Sequence, residues 1–573
     1  MDHSRYLQTF DTSQLPQVFV DVLVVGSGIA GHCAGLSAEA AGARVLVVTK
    51  DGPLESNTLY AQGGIAAAVG VSDSVDAHVT DTLRAGDGLC DESVVRSIVG
   101  EAAEAVRYLA DAGVAFDRDS ESGSLRLGRE GGHSERRVAH SHGDGTGLEF
   151  QRVLGAVVAE RRELQVVSGS FVVDLLTVEE RCVGAMVLVA GEVRVVWAGA
   201  VVLATGGAGR LFRESTNPAV TTGDGLAMAY RAGADLRDME FMQFHPTVLY
   251  VPGAGRTLLS EAARGEGALL RDLRGHRFLP EYDERAELAP RDVVSRAIVS
   301  HLTEWGDAHV LLDLTAIDPA RLALCLPGVV ATGRKIGIDV TREPLPVRPA
   351  AHYTIGGVVC DLNGRTTLPG LLAAGEVSSS GLHGANRLAS NALLEGVVVG
   401  RRAGTVAAHE ASLQPATQHA ITSTGPGRAR DDVDSLDLVQ SIESLLWRDA
   451  GVRRDGEGLA NAERQLAAWA PLVLGRTMPH TAGMEAQNLC LLGGLLLRAA
   501  SLRQETRGVH WRRDHPDHDD VRFLGHFHMR TGEEPRFVPL ASSVSRSQVA
   551  VASQRAVIGR ESESGDGSQR SGA

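Results

Sequence analysis

The chain has 573 residues, too many for a single hydrophobic core, so two to four structural units are expected. Hydrophobic residues make up 43% and charged residues 22%, the ordinary balance of a globular protein. The formal net charge of -15 gives no general attraction for nucleic acid or anionic lipid, so neither is expected as a partner, and any anion must be bound by local clusters of Arg and His.

The six cysteines are scattered without a C-x-x-C pair, which predicts buried thiols in a reducing cytosol and no metal site. The first 17 residues lack the basic start and apolar run of a signal peptide, and no later apolar run reaches about 18 residues. A cytoplasmic protein without a membrane segment is therefore predicted.

A βαβ unit is predicted near the N-terminus. Residues 20–25 and 44–48 are rich in β-forming residues, and between them lie the glycines Gly26, Gly28 and Gly31 and an alanine-rich helical stretch. Such glycines permit a tight turn, close approach to a pyrophosphate and close helix packing, so this unit predicts a dinucleotide site. The acidic residue expected about 20 residues further on is missing, since Thr49 and Lys50 stand there, which argues against a generic NAD site.

Further strands follow in chain order. Residues 165–200 predict an antiparallel meander, residues 200–205 predict a strand that leads into Gly206 and Gly207, and the sheet is expected to resume at 371–376. The stretch from about 241 to 352 is therefore inserted between two halves of one sheet. Three glycine-rich turns that each follow a strand favour one long cofactor lying across the strand ends.

The blocks that carry a family resemblance are Asn57-Thr-Leu-Tyr-Ala-Gln-Gly-Gly64, Arg129-Glu-Gly-Gly-His-Ser134, Thr222-Gly-Asp-Gly225, Gln243-Phe-His-Pro-Thr247, Leu288-Ala-Pro-Arg-Asp292, His352-Tyr353 and Leu382-His-Gly-Ala-Asn-Arg-Leu-Ala-Ser390. With them the chain resembles, over roughly residues 18 to 530, the fumarate reductase/succinate dehydrogenase flavoprotein superfamily and, within it, the L-aspartate oxidases that open bacterial NAD biosynthesis. Residues 504–510 resemble a further superfamily signature whose physical role the sequence does not explain.

The resemblance implies an α/β fold: a Rossmann-like FAD-binding domain, interrupted by an α+β capping domain and followed by a C-terminal helical domain. The expected bounds are 1–240 and 353–410 for the FAD-binding domain, 241–352 for the capping domain, 411–430 for a linker, 431–540 for the helical domain and 560–573 for a disordered tail.

The resemblance also implies the FAD contacts, which are Ser27, Gly28, Ile29, Ala30, Lys50, Asn57, Thr58, Leu59, Tyr60, Ala61, Gln62, Gly63, Gly64, Asp224, Glu376, Ala392 and Leu393. Glu376 is expected at the ribityl chain. In the membrane-complex members of the superfamily, a histidine at the position of Asn57 is joined covalently to the flavin. Because asparagine stands here, non-covalent FAD is predicted.

A dicarboxylate beside a flavin needs fixed cations and hydrogen-bond donors, because two carboxylates must leave water. The resemblance places Arg387, His245, His352 and Ser260 in this role. Arg291 matches the superfamily's proton-transfer arginine. An arginine is a poor base in water, so this role requires a site that disfavours the free cation or a relay through neighbouring carboxylates; the alternative interpretation is a carboxylate clamp.

The substrate class is predicted from Glu130. A succinate or fumarate site has no reason to place a carboxylate against its dianion, whereas the ammonium group of aspartate can pair with a glutamate. The expected reaction is FAD-dependent oxidation of L-aspartate to iminoaspartate with oxygen, giving hydrogen peroxide, or fumarate, giving succinate, as acceptor. Quinolinate synthase is the expected pathway partner for iminoaspartate.

Three alternatives stay open at this stage. A soluble fumarate reductase or a succinate dehydrogenase flavoprotein shares the arginines and histidines, but Asn57 and Glu130 argue against it. A flavoprotein that modifies tRNA is disfavoured by the acidic charge balance. A non-catalytic interaction protein would leave the His, Arg and Glu set without a purpose.

Overall fold

The computed structural model describes residues 3–427 and 433–540. The segment before residue 240 contains β1 (Thr9–Asp11), β2 (Gln17–Val25), α1 (Ile29–Ala40), β3 (Val45–Val48), β4 (Ile65–Ala66), α2 (Val75–Ala85), α3 (Glu92–Gly100), α4 (Ala102–Asp111), β5 (Leu127–Gly128), β6 (Val138–Ala139), α5 (Thr146–Ala159), β7 (Leu164–Val167), β8 (Ser170–Val178), β9 (Arg181–Val189), β10 (Glu192–Leu203), α6 (Asp224–Arg231) and β11 (Leu236–Arg237).

The inserted segment contains β12 (Met242–Leu249), α7 (Ala262–Gly265), β13 (Leu269–Arg271), α8 (Arg291–Trp305), β14 (Val310–Asp313), α9 (Pro319–Cys325), α10 (Pro327–Lys335) and β15 (Leu345–Thr354). The remainder contains β16 (Gly357–Val359), β17 (Leu371–Ala373), β18 (Ser378–Ser379), α11 (Asn391–Leu413), β19 (Thr422–Thr424), α12 (Ser435–Ala450), α13 (Gly456–Val473), α14 (Thr481–Leu502), α15 (Asp520–Phe523), β20 (Gly525–Met529) and β21 (Arg536–Pro539).

The main sheet has the order β7-β3-β2-β10-β9-β8, and β17 also pairs with β10. Strands β7, β3, β2, β10 and β17 are parallel, so their carboxyl ends meet at one edge. Alternate residues of β2 enter different cores: Val22 and Val24 pack with α1 and α11, while Leu23 and Val25 belong to the cluster that includes the C-terminal helices. The sheet is thus covered on both faces, as parallel sheets require.

The meander predicted for residues 165–200 and the strand predicted for 200–205 differ from the structure at their junction. Strand β10 runs without a break from Glu192 to Leu203. Its first half pairs antiparallel with β9, its last three residues pair parallel with β17, and β2 pairs with most of its length. Its pairing with β2 continues on both sides of the position where the sequence suggested a boundary, so the strand is not interrupted there.

The inserted segment forms its own four-stranded antiparallel sheet, β12-β15-β14-β13, with α8 packed on it. Its core is a separate apolar cluster that includes Leu270, Ile298 and Leu312. The insert therefore folds as an α+β unit, and its first and last strands, β12 and β15, pair with each other and join it to the main domain.

Helices α12, α13 and α14 form the predicted C-terminal bundle, and α14 packs against α6. Residues 525–539, which were predicted as part of a helical domain, form strands instead: β20 pairs with β11 and with β21. In the segment predicted as a linker, β19 pairs with β1, so this stretch joins the N-terminal strand. The tail predicted at 560–573 lies outside the described residues. Within the described ranges, no helix has the length and apolar character needed to span a membrane.

Candidate active site

A cavity opens at the carboxyl ends of β2, β3, β10 and β17 and extends to the inserted segment. This edge of a parallel sheet is where ligands bind in open α/β folds. All of the residues predicted for the cofactor and the substrate line this cavity except Leu59. Residues from the main domain, the insert and the loop before α11 thus converge on one place.

The end of the cavity near β2 is shaped for a phosphate group. Gly26 has φ +109°, and a Cβ at Gly31 would come within 2.0 Å of the Gly26 carbonyl oxygen. The turn can therefore pack this closely only with glycines. The N-terminus of α1 lies on the cavity wall with Gly28, Ile29 and Ala30, and the Ile29 N–H donates to Thr58 Oγ1 at 3.0 Å, so the remaining unpaired N–H groups of the first turn can bind a phosphate.

Lys50 lies on the cavity wall and is paired with two carboxylates. Its Nζ is 2.9 Å from Asp224 Oδ2 and also contacts Glu485 of α14. Burial opposes the charge, but the two carboxylates outweigh it and raise the pKa of Lys50. Asn488, also on α14, donates to Asp224 Oδ1 at 2.7 Å. The C-terminal bundle therefore holds two residues predicted to contact FAD, a contribution without a local sequence signal.

Asn57 lies between two other cavity residues. Its Nδ2 donates to Glu376 Oε2 at 2.7 Å, and its Oδ1 accepts from Thr221 at 3.2 Å. A carboxamide has no nucleophilic nitrogen, and here both of its polar atoms are engaged, so the site lacks a group at this position for a covalent flavin link.

The cavity fits the FAD that the sequence implies. Among the described residues, Gln62 Oε1 and Thr205 Oγ1 are buried without a hydrogen-bond partner, and both residues line the cavity. The first turn of α11, with Ala392 and Leu393 on the wall, supplies a second set of backbone N–H groups. These donors and acceptors, together with the turn before α1, suit the pyrophosphate and the polar edge of a flavin.

Two arginines meet at the substrate end of the cavity. Arg291 Nη1 and Arg387 Nη2 both donate to Gln243 Oε1, each at 3.1 Å. Burial and the nearby Arg291 charge lower the pKa of Arg387 to about 10. Arg387 has no carboxylate partner within the part of the chain that the structure describes, although its guanidinium lies 4.3 Å from the Tyr353 ring centroid. Two close guanidinium groups form a site for an anion.

Arg291 belongs to a buried series of ion pairs that sequence analysis did not identify. Its Nε donates to Glu261 Oε2 at 2.5 Å, and Arg264 Nη2 donates to Glu261 Oε1 at 2.7 Å. Burial opposes the charge of Glu261, but the two arginines lower its pKa. The spacing Glu261-Ala-Ala-Arg264 is a helix-neighbour pattern that was available as a signal. Glu261 is thus a carboxylate next to Arg291, as the relay interpretation of that arginine calls for.

His245 and His352 face each other with ring centroids 5.2 Å apart. They lie on β12 and β15, whose register shifts between Gln243 and Phe244, so that His352 has no paired residue opposite it. Burial and Arg291 lower the pKa of both rings well below the ordinary histidine value, so both are neutral. The Thr247 backbone donates to His245 Nδ1 at 3.3 Å, which assigns the ring hydrogen to Nε2, a donor without a partner among the described residues.

Ser260 precedes α7 and is buried on the same wall. Its Oγ accepts from the Ala262 backbone at 3.2 Å. The hydroxyl hydrogen is therefore free to be donated into the cavity.

Glu130 lies in the loop between β5 and β6 and is 2% exposed. Ser390 Oγ donates to its Oε2 at 2.6 Å, while Oε1 has no partner among the described residues. Burial and the Glu261 charge raise its pKa, against the opposing effect of Arg291. A buried carboxylate with an unpaired oxygen is costly unless a donor or a cation reaches it.

Comparisons with known proteins agree with this geometry. Residues 21–393 match a family model described as an FAD binding domain, and residues 475–551 match one described as a fumarate reductase flavoprotein C-terminal region. An L-aspartate oxidase of Streptomyces coelicolor is 44% identical over 91% of this chain and 95% of its own length. One from Mycobacterium leprae is 43% identical over 87% and 93%. The chain belongs to the L-aspartate oxidase family.

Solved structures confirm the fold predicted from the sequence. A structure of the E. coli quinol fumarate reductase has a TM-score of 0.85 and 30% identity, covering 92% of this chain and 98% of its own. Mycobacterium smegmatis Sdh1 has a TM-score of 0.79 and 31% identity, over 92% and 95%. This chain thus shares its fold with a quinol fumarate reductase and with Sdh1, and FAD is its cofactor.

In this member of the L-aspartate oxidase family, residues 504–510, the superfamily signature near the C-terminus, hold the loop that carries Arg387. The backbone N–H of Val509 donates to the Ala385 carbonyl at 3.0 Å, and the N–H of Ala385 donates to the Gly86 carbonyl at 2.9 Å. A Cβ at Gly508 would come within 2.3 Å of the Ala385 oxygen. The peptide two residues before Arg387 is therefore fixed from both sides.

Proposed function

We propose that this protein oxidises L-aspartate to iminoaspartate with FAD and passes the electrons to oxygen, giving hydrogen peroxide, or to fumarate, giving succinate. The observation that supports it is the buried carboxylate of Glu130 in the same cavity as the guanidinium groups of Arg291 and Arg387. A dicarboxylate alone is repelled by this carboxylate, whereas the ammonium group of aspartate pairs with it.

The charges of the site match those of the proposed substrate. Arg264, Arg291 and Arg387 against Glu130 and Glu261 leave one net positive charge when both glutamates are ionised. Aspartate at neutral pH has two carboxylates and one ammonium group, hence one net negative charge. Its binding neutralises the buried cluster, which offsets the cost of desolvation.

The proposed roles follow from the hydrogen bonds. Arg387, the Nε2–H of His245 and the Ser260 hydroxyl donate to the substrate carboxylates. Glu130 holds the ammonium group, and its raised pKa makes it a better proton acceptor than an exposed glutamate. FAD bound in this cavity would supply the two-electron acceptor for the Cα hydrogen, which leaves as a hydride. The residues orient the substrate and exclude water.

For fumarate reduction, the proposed proton donor to the substrate is Arg291. The chain from Arg264 through Glu261 to Arg291 can replace that proton because each member is hydrogen-bonded to the next. Iminoaspartate is proposed to pass to quinolinate synthase as the next enzyme of the pathway, and the cytoplasmic location expected from the sequence stays a prediction.

A substrate screen under anaerobic conditions tests this function. The purified holoprotein is mixed with aspartate, glutamate or succinate, and flavin absorbance is followed. Aspartate is expected to bleach the flavin while glutamate, one methylene longer, and succinate, without the ammonium group, do not. Bleaching by succinate and not by aspartate would identify a succinate-oxidising flavoprotein instead.

FAD is expected to be non-covalent, because Asn57 offers no nucleophile for a flavin link. Acid precipitation of the holoprotein should release all of the yellow colour into the supernatant, as measured by absorbance. Flavin that stays with the washed precipitate would contradict the prediction.

A further inference from the structure

His133 follows Glu130 by three residues in the loop 129–134. It is 3% exposed, and its backbone N–H donates to the Glu130 carbonyl at 3.2 Å. Neither ring nitrogen faces the cavity: Nδ1 is 3.1 Å from Arg137 Nη1, and Nε2 is 2.9 Å from the Ala389 carbonyl oxygen. The ring therefore connects the Glu130 loop to the segment before α11.

The two contacts determine the state of the ring. A guanidinium group only donates, so Nδ1 accepts from Arg137 and the hydrogen lies on Nε2, which donates to Ala389. Burial, with a contribution from the Arg137 charge, lowers the pKa of His133 to about 4, so the ring is neutral. Ala389 immediately precedes Ser390, whose hydroxyl donates to Glu130. The His133 ring thus links the loop 129–134 to the segment before α11, the two backbone segments that contain Glu130 and Ser390.

Arg137 is itself held rigidly. Its Nη1 donates to Asp81 Oδ2 at 2.5 Å, and Nε and Nη2 form a bidentate pair with Asp73 at 2.8 and 2.9 Å. Asp81 also accepts from the backbone and hydroxyl of Ser134, both at 2.7 Å. Moving this buried ion network would leave charges unpaired at high cost, so it anchors the ring to α2.

We propose that His133 is a positioning residue for substrate selectivity, which holds the Glu130 carboxylate and the Ser390 hydroxyl where the substrate ammonium group binds. The proposal rests on the proposed function, because it requires that Glu130 recognises an ammonium group. Among the described residues, the His133 ring has hydrogen bonds only to Arg137 and Ala389 and none to the groups proposed to bind the substrate carboxylates, and the neutral ring carries no charge that acts on Glu261, so its effect is expected on aspartate and not on fumarate.

Two substitutions of His133 test the proposal. His133→Phe fills a similar volume but makes neither hydrogen bond, and it is expected to lower kcat/KM for aspartate by about tenfold, mainly through KM. Fumarate reduction with reduced methyl viologen should stay within about twofold of wild type, because no ammonium group is involved. His133→Gln can donate to Ala389 and accept from Arg137, so it should restore most of the aspartate activity. If the Phe variant does not fold, His133→Leu provides the same comparison.

A double variant separates action through Glu130 from a general loss of stability. If His133 acts through Glu130, His133→Phe should cost aspartate oxidation nothing further in a Glu130→Gln background. His301→Phe is the control, since His301 is also buried but lies on α8 of the inserted segment, where its ring stacks on Phe278 with centroids 4.3 Å apart, outside both the loop 129–134 and the segment before α11. It should lower Tm without changing the ratio of aspartate to fumarate activity.

Equal losses of both activities in His133→Phe, failure of His133→Gln to restore aspartate oxidation, or additive losses in the double variant would each overturn the proposal. A wild-type protein that does not oxidise aspartate would overturn the proposed function as well. An unchanged activity ratio in His133→Phe, with wild-type aspartate oxidation intact, would overturn only the role of His133.

Discussion

Replacing Arg291 with leucine is expected to lower kcat for fumarate reduction by at least about 10³-fold while FAD stays bound. In the chain from Arg264 through Glu261, Arg291 is the arginine that lines the cavity, so the substitution removes the proton donor and a positive charge together. Steady-state kinetics with reduced methyl viologen measures the loss, and the flavin absorbance per protein measures retention of FAD.

The same experiment separates proton transfer from a carboxylate clamp. A residue that only clamps the substrate affects KM and leaves kcat close to wild type. Arg291→Lys keeps the charge and would retain much of a clamp's function. Arg271→Leu is the control, because it removes an arginine from the same inserted unit that pairs with Asp313 on the neighbouring strand. Near-normal fumarate turnover in Arg291→Leu would rule out the proton-transfer role.

Replacing Glu130 with glutamine is expected to separate the two activities of the site. The substitution keeps the size and most of the hydrogen bonding but removes the charge, so aspartate oxidation should weaken by roughly 1.5–3 kcal/mol, about ten- to a hundredfold in kcat/KM. Fumarate has no ammonium group, and removing a negative charge near a dianion should leave its binding unchanged or slightly tighter. Parallel measurement of kcat/KM for both substrates gives the ratio.

Glu261→Gln is the matched comparison for this prediction. It makes the same change in the same buried cluster, but Glu261 pairs with Arg264 and Arg291, so both activities should fall. Equal loss of both activities in Glu130→Gln would show that Glu130 supports the fold or the flavin. The choice of aspartate as substrate would then lose its main physical argument.

The pH dependence of aspartate oxidation gives a second test of the proposed role of Glu130. Burial and Glu261 raise its pKa, and the ionised form is the one that pairs with an ammonium group. The kcat/KM for aspartate should therefore rise with pH through this raised pKa, at higher pH than an ordinary glutamate titrates, and the Glu130→Gln variant should lack this rise. A rise that is unchanged in the variant would assign the titration to another group.

The sequence alone determined those structural features that are set by residues close together along the chain. The glycines of the turn before α1 and the β-forming runs on either side predict the βαβ unit, because turn geometry and side-chain alternation are set within a few residues. The family resemblance also implied residues for the cofactor and the substrate, and all of them line the cavity except Leu59; their roles stay predictions.

Contacts between distant segments were decided only by the tertiary structure. Pairing of Lys50 with Glu485, the shared contact of Arg291 and Arg387 with Gln243, and the placement of Ala389 against His133 each join segments far apart in the chain. Likewise, β20 pairs with β11 although the sequence around it suggested a helical domain. Local sequence patterns specify which face of a helix or strand is buried. The packing of the whole chain sets which segment covers that face and which charged group lies against it.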